Sequence, residues 1–188
     1  MNKIILTVVF IFTITAVLIV TNKINLENKQ KNLKPEYFSA TEISTHVSKL
    51  VNITINPNYN YNFSIMKKGV LQHLDRKYTY DVIPEKLLGG LLFQGIHRPR
   101  KNTTIKLEIL SPMITYFFFH HKVDGGYSKI FSSLDNWILC NKAPQYDINN
   151  GDHGLKMIMY SRTVKKGIYY IPKTTKDRAC FSIVFNPL

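Results

Sequence analysis

A chain of 188 residues, 45% of them hydrophobic, is long enough to bury the core of one domain and to leave an N-terminal segment over. Its 25 Lys and Arg against 12 Asp and Glu give a formal charge of +13, which either favours an anionic partner or serves solubility alone. No arginine-rich helix, RNP-like aromatic pair or Cys/His finger accompanies this charge in the sequence, so we expect no nucleic-acid partner.

The N-terminus carries an uncharged apolar segment, Ile4–Val20, directly after Lys3. Its length lies between that of a signal-peptide core and that of a minimal membrane span. A small-x-small cleavage site is missing after it, which favours an uncleaved signal anchor, whereas the lysines that follow oppose export under the positive-inside rule. We therefore expect entry into the secretory pathway, either as a single-pass membrane protein with an extracellular or lumenal C-terminal domain or as a secreted protein.

Three regions follow from this composition. Residues 1–22 form the signal anchor or signal peptide. Residues 23–37 are rich in Asn, Lys and Gln and poor in apolar groups, which is typical of a flexible stalk. Residues 38–188 contain the regular apolar patterns and form the predicted folded domain.

A short helix is predicted at the start of that domain. Ser39 and Glu42 have the spacing of a capping box. Ile43, Val47 and Leu50 then fall on one helical face. We expect this helix to cover one end of the domain rather than to serve as an interaction helix.

The segment Thr103–His121 is the predicted centre of the fold. Its first half alternates apolar with charged residues, the pattern of a strand with one wet face. Ser111-Pro112 interrupts the run, because proline cannot donate to a sheet. Met113–Phe119 is apolar and aromatic throughout, as in a strand covered on both faces. We interpret the two halves as a hairpin.

Short extended segments separated by turn residues at intervals near ten residues predict an all-β domain, an antiparallel β-sandwich of jelly-roll or galactose-binding-like type. The strands are expected to begin at Gly69, after an Asn/Tyr loop at Asn56–Asn62, and Asp124-Gly125-Gly126 is a tight-turn signal. The further strands are Tyr78–Val82, Leu91–Ile96, Trp137–Cys140, Leu155–Tyr160, Gly167–Ile171 and Cys180–Phe185.

Cys140 and Cys180 are the two cysteines of the chain, and each stands in an apolar strand segment. In an exported chain an even pair predicts a disulfide, and we expect the two residues to lie in adjacent strands with their Cα atoms roughly 4.4–6.8 Å apart. The alternative is two separate buried thiols.

Asn52, Asn62 and Asn102 each begin an N-glycosylation sequon. In a eukaryotic-type secretory pathway they predict a glycoprotein, and Asn102 is the best placed because it lies in a turn ahead of a strand. Chance alone supplies a sequon or two in a chain so rich in asparagine.

No metal or cofactor is predicted. His120 and His121 should point to opposite faces of their strand, and no Cys, His or Asp stands at a ligand spacing beside them. Asp147, Asn149 and Asp152 offer oxygen ligands, but their spacing is not that of an EF-hand. We expect structural roles for these residues.

No catalytic motif is present: there is no nucleophile elbow, Gly-rich phosphate loop, HExxH or catalytic cysteine pattern. The carboxylates are few and scattered. A pair of them could still assemble into a hydrolytic site in three dimensions, since glycosidase carboxylates need not be neighbours in sequence. We expect no enzymatic activity.

Two basic turns are candidates for an anionic-ligand patch. One contains Arg98, Arg100 and Lys101, and the other contains Lys165 and Lys166. If both lie at the same end of the sandwich, they form a basic rim suited to sulfated or carboxylated glycans, because arginine grips such groups bidentately. The alternative is dispersed charge with no selective ligand.

Scattered positions over residues 69–188 match a known pattern: Asp75-Arg76-Lys77-Tyr78-Thr79, Val82, Pro84, Leu87, Gly89, Thr115-Tyr116-Phe117, Trp137, Tyr160 and Gly167. In these the chain resembles a small extracellular β-sandwich module that is often found beside carbohydrate-active domains. The chain departs from that module in its two cysteines and its basicity, and we expect no companion catalytic domain. The resemblance implies an accessory, non-catalytic role and identifies no ligand residues.

The function expected from the sequence is a secreted or membrane-anchored extracellular binding or adhesion module, with an anionic glycan or an acidic protein surface as its partner. The first alternative is a structural or assembly subunit, such as a viral or parasite surface glycoprotein. The second is an enzyme of unknown class. An exposed aromatic patch beside a shallow groove would favour glycan binding, and a large flat apolar face would favour assembly.

Overall fold

The computed structural model describes residues 43, 47–122, 124–149, 151–173 and 180–188. The predicted segments 1–22 and 23–37 lie outside these residues, as do Ser39 and Glu42 of the predicted capping box. Within the described part of the chain, no helix reaches the length and apolar character that crossing a bilayer requires.

Antiparallel strands make up most of the regular secondary structure among the described residues. They are β1 (Val51–Asn56), β2 (Asn62–Ile65), β3 (Thr79–Val82), β4 (Leu91–Gln94), β5 (Thr104–Ile109), β6 (Met113–His120), β7 (Ile138–Leu139), β8 (Gln145–Asp147), β9 (Leu155–Val164), β10 (Gly167–Tyr170) and β11 (Phe181–Pro187). The described elements also include a 3₁₀ turn, Glu85–Leu87, and a helix, α1 (Tyr127–Ser132).

The strands form two sheets. The smaller has the order β1-β5-β10, and the larger has the order β2-β4-β11-β6-β9-β8-β3, with β7 paired to β9 outside this path. Ile105 and Ile109 of β5 share one buried cluster with Phe117 and Phe119 of β6. Because these residues belong to different sheets, the sheets pack face to face, as in a β-sandwich.

The central strand β6 of the larger sheet is buried on both faces. Phe117 and Phe119 of β6 face the smaller sheet, while Tyr116 and Phe118 belong to a second cluster on the opposite face. There the Tyr80 hydroxyl donates a hydrogen bond to Ser182 Oγ at 2.7 Å, which ties β3 to β11. The prediction that this aromatic strand is covered on both sides is therefore confirmed.

The predicted hairpin of β5 and β6 does not form. Val51 to Asn56 of β1 pairs with β5, whereas β6 pairs with β9 and β11 in the other sheet. The Ser111-Pro112 interruption therefore carries the chain from one sheet to the other. The pattern of apolar residues locates both strands but does not say which strand each one pairs with, because pairing depends on the whole chain.

The strands begin earlier than expected, since β1 and β2 precede Gly69. The helix α1 was also missed, because six residues are too few for a helical repeat to be visible. The turn signal before it is correct: Gly125 and Gly126 both have positive φ, and Asp124 Oδ1 accepts a hydrogen bond from the Gly126 backbone N–H at 2.8 Å.

Residues 47–50 are helical and lead directly into β1. Leu50 is buried in the cluster between the sheets, and Ile43 and Val47 pack against the same cluster. The apolar face read from the sequence thus contacts the core at the edge of the smaller sheet.

Candidate functional site

Cys140 and Cys180 are both thiols in the structure, which corrects the predicted disulfide. The backbone N–H of Cys140 donates to Met159 in β9, and Cys180 directly precedes β11. Strand β6 lies between β9 and β11, so the two cysteines are not in adjacent strands. Sequence spacing did not reveal the intervening strand.

The basic residues predicted to form one patch lie at opposite ends of the smaller sheet. Lys101 precedes β5 at its first residue, Thr104, whereas the Lys165-Lys166 turn precedes Gly167, which pairs with Ile109 at the other end of β5. Arg98, Arg100, Lys101, Lys165 and Lys166 are all exposed. The turn with Arg98, Arg100 and Lys101 and the turn with Lys165 and Lys166 are therefore two separate basic turns, with the length of β5 between them.

Asn52, Asn62 and Asn102 are all exposed, and their glycosylation stays a prediction. In the acidic loop, Asp147 accepts hydrogen bonds from the Gly154 backbone N–H and from His153 Nδ1, each at 3.0 Å. The contact with His153 is the largest cause that holds the pKa of the Asp147 carboxyl below its usual value. The oxygens of this carboxylate therefore stabilise their own loop.

A groove of about 560 Å³ lies between β1 and β2, the edge strands of the two sheets. Its walls are apolar, hydroxyl and amide groups from the helical residues 47–50, from β1 and from β2. The lining residues are Ile43, Val47, Ser48, Val51, Asn52, Ile53, Tyr61, Asn62, Phe63 and Ser64. None of these described lining residues carries a charge.

Tyr61 spans this groove. Its hydroxyl donates to the backbone carbonyl of Ile53 in β1 at 3.3 Å, and its ring packs against Phe63 and Phe93, with centroid distances of 5.9 and 5.4 Å. The side chain is still 37% exposed. An aromatic ring held by packing beside amides and hydroxyls is the arrangement that a sugar ring needs for stacking and hydrogen bonding.

A second constellation, buried rather than open, lies at one end of the larger sheet. His97 follows β4, His120 ends β6 and Cys180 precedes β11, and these three strands are neighbours in the order β4-β11-β6. One donor atom from each residue lies within 4.8 Å of the other two. We call these three residues the His-His-Cys cluster.

His120 and His121 do point in different directions, as alternation predicted: His120 is 4% exposed and His121 is exposed. No Cys, His or Asp stands at a ligand spacing beside His120 in the sequence, but the fold brings His97 and Cys180 close to it. His97 and Cys180 are remote in sequence, and only the antiparallel arrangement of their strands brings them to one sheet end. No motif spacing in the sequence signals this convergence.

Burial keeps the cluster uncharged at neutral pH. It lowers the pKa of His97 to about 4 and that of His120 to about 3, with nearby positive charges as the lesser causes. Burial likewise raises the pKa of the Cys180 thiol to about 11, against the opposing charge and hydrogen bond of Arg98. The neighbouring His73 has its pKa held well below the usual value, again chiefly by burial.

No protein-family model and no curated protein sequence matches the chain. Among solved structures, a β-glucuronidase from glycoside hydrolase family 2 has a similar fold, with a TM-score of 0.53 over 72% of this chain and 11% sequence identity. The chain spans only 14% of the length of that enzyme. The similarity therefore shows the fold alone: this β-sandwich resembles one part of a carbohydrate-active enzyme.

Proposed function

We propose that this chain is a non-catalytic carbohydrate-binding module with a jelly-roll-type sandwich, displayed outside the cell. The observation that carries the proposal is the groove between β1 and β2, in which the exposed ring of Tyr61 stands beside Asn52, Asn62 and Ser64. The similarity of the fold to part of a glycoside hydrolase supports the same class of ligand. The apolar Ile4–Val20 segment supports export.

The groove favours a neutral sugar. Its described lining is uncharged, and the two basic turns, around Arg100 and around Lys165, lie at opposite ends of the smaller sheet. An anionic glycan would need cations that converge on its charged groups. The ligand of the groove is therefore best sought among uncharged glycans.

Two of the sequon asparagines, Asn52 and Asn62, line the groove. A glycan attached to either residue would occupy the space that a ligand needs. The proposal therefore applies to the chain with these two sites unmodified, and the binding experiment uses protein from a host that does not N-glycosylate.

The test is a glycan array probed with the full chain, followed by affinity measurements on the Tyr61→Ala and Tyr61→Phe variants. Loss of the ring should weaken sugar binding by about 3–10-fold, equivalent to about 0.7–1.4 kcal/mol of aromatic stacking. Loss of the hydroxyl alone removes the bond to Ile53 but keeps the ring, so Tyr61→Phe should bind nearly as well as the wild type.

Tyr170→Ala is the matched control, because Tyr170 is an exposed tyrosine on β10, outside the groove. It should leave the affinity unchanged. Sugar binding that is weakened equally by Tyr61→Ala and Tyr170→Ala, or no binding to any glycan on the array, would overturn the proposal.

A second candidate function, a subunit of an assembly, is favoured by one observation. Strand β10 pairs only with β5 among the described strands, and its Ile168 and Tyr170 are 58% and 63% exposed. An edge strand with outward apolar side chains is a surface to which another chain can add.

A further inference from the structure

We propose that His97, His120 and Cys180 bind a transition-metal ion that accepts thiolate, with zinc or copper as the ions that fit. The His-His-Cys cluster shares no lining residue with the groove, so this inference is independent of the proposed function. Zinc and copper prefer imidazole nitrogen and thiolate sulfur as donors, whereas magnesium and calcium prefer oxygen.

The donor atoms are close enough for one ion to bridge them. They lie within 4.8 Å of one another. In a tetrahedral site with metal–nitrogen bonds of about 2.0–2.1 Å and a metal–sulfur bond of about 2.3 Å, the ligand atoms are roughly 3.3–3.7 Å apart. Small side-chain rotations therefore suffice to close the site.

The backbone that carries these donors is held in place. The His120 backbone N–H donates to the Cys180 carbonyl at 3.2 Å, and the His97 backbone N–H donates to Asp75 Oδ1 at 2.8 Å. All three ligands therefore stand at the ends of paired strands or are fixed by a side-chain acceptor. Sites built on rigid elements keep the geometry that a metal ion requires.

Unpartnered nitrogens independently point to a missing ligand. Nδ1 of His97, both ring nitrogens of His73 and Nε2 of Gln72 are buried and have no hydrogen-bond partner among the described residues. His97 is 3% exposed and His73 is 1% exposed. A polar group is rarely buried without a partner, and an ion bound at the cluster would supply one for Nδ1 of His97.

The surroundings resemble the outer shell of a metal site. Nε2 of His120 lies 3.0 Å from Gln72 Oε1, and the ring of His120 stacks on Tyr146 at a centroid distance of 4.0 Å. Such contacts fix the orientation of a ligating imidazole. Arg98 is exposed and is close enough to hydrogen-bond the Cys180 thiol.

Binding must release a proton. The Cys180 thiol loses its proton to solvent as the metal–sulfur bond forms, while the neutral imidazoles bind through existing lone pairs. No oxidation or reduction accompanies the binding of Zn²⁺ or Cu⁺. Affinity should therefore rise with pH.

The test is a titration of the metal-stripped full chain with Zn²⁺ and, under anaerobic conditions, with Cu⁺, while Mg²⁺ serves as the negative control. We expect one ion per chain, a raised melting temperature and, with Co²⁺ as a spectroscopic substitute, a thiolate-to-metal charge-transfer band. His120→Ala and Cys180→Ser should each weaken metal binding by more than about 100-fold. Loss of a residue that only hydrogen-bonds a ligand costs about 10–100-fold, so a larger loss indicates a direct ligand.

His121→Ala and Cys140→Ser are the matched controls. The first removes an imidazole next to His120 in the sequence, and the second removes the thiol of the other cysteine, which is not in the cluster. Both should keep full affinity and the charge-transfer band. Binding that survives in His120→Ala and Cys180→Ser, or the lack of stoichiometric binding of either Zn²⁺ or Cu⁺ to the wild type, would overturn the proposal.

A wild-type measurement covers the case in which a ligand variant fails to fold. Alkylation of Cys180 should be slowed at least about 10-fold by bound metal, whereas alkylation of Cys140 should not change. Equal rates for Cys180 with and without the metal would contradict the site.

Discussion

At the scale of single residues, Trp137 shows how the structure refines a prediction. Because it stands in the apolar segment Trp137–Cys140, the sequence predicts that it shares a core with the aromatic strand β6. Its ring does pack edge-on against Phe131 and Phe117, with centroid distances of 5.0 and 6.3 Å, but the side chain is only half-buried. Trp137 therefore lies at the margin of the core.

Trp137→Ala should lower the free energy of unfolding by about 2–3 kcal/mol, below the roughly 3–5 kcal/mol that a fully buried tryptophan costs, because part of its ring surface is already in water. Urea denaturation followed by circular dichroism measures this loss. Ile138→Ala is the control: Ile138 is 68% exposed, so its truncation should change stability by less than about 0.5 kcal/mol. A similarly small loss for Trp137 would contradict its packing at the margin of the core.

At the scale of elements, sheet edges set the surfaces on which function depends. The edges of β1 and β2 border the groove, and β10 leaves the other edge of the smaller sheet without a described neighbour. The same architecture thus offers a pocket for a small ligand on one side and a strand edge for another chain on the other. A ligand in the groove between β1 and β2 would identify a binding module, whereas another chain on β10 would identify an assembly subunit.

If β10 mediates assembly, Ile168→Lys should convert an oligomer into a monomer, because a charged side chain on an edge strand blocks the addition of another strand. Sedimentation velocity of the full chain measures this. Ile138→Lys makes the same change on β7, another strand with exposed apolar residues, and should leave the oligomer intact. A wild-type chain that is monomeric at all concentrations would contradict assembly through β10.

At the scale of the whole molecule, the two basic turns of this chain of charge +13 do not converge on one place. The two basic turns are separated by the six residues of β5, which span about 20 Å at 3.4 Å per residue. That distance is twice the Debye length of about 10 Å in 0.1 M salt. Each basic turn should therefore act on an anionic polymer by itself.

Two matched double variants test this: Arg100→Ala with Lys101→Ala, and Lys165→Ala with Lys166→Ala. Each pair removes two exposed charges, so each should weaken heparin binding to a similar extent and reduce its salt dependence. The combined variant should show the sum of the two effects within about 0.5 kcal/mol, as expected for distant sites. A larger coupling would mean that both turns grip one ligand.

Much of the strand pattern was predictable because it is local. The alternation in β5, the apolar run of β6 and the glycines at Gly125 and Gly126 each depend on neighbours within a few residues. Burial of alternate side chains imposes a period of two on the sequence, and positive φ imposes glycine. The all-β class followed from these local rules alone.

Only the tertiary structure decided which strands meet. It placed β5 and β6 in different sheets, put β6 between the strands beside Cys140 and Cys180, and brought His97 and Cys180 to His120. The groove likewise exists only because β1 and β2 form the edges of two separate sheets. The physical reason is the same each time: pairing and register are chosen by the burial of the whole chain, and that choice leaves no periodic trace in the sequence.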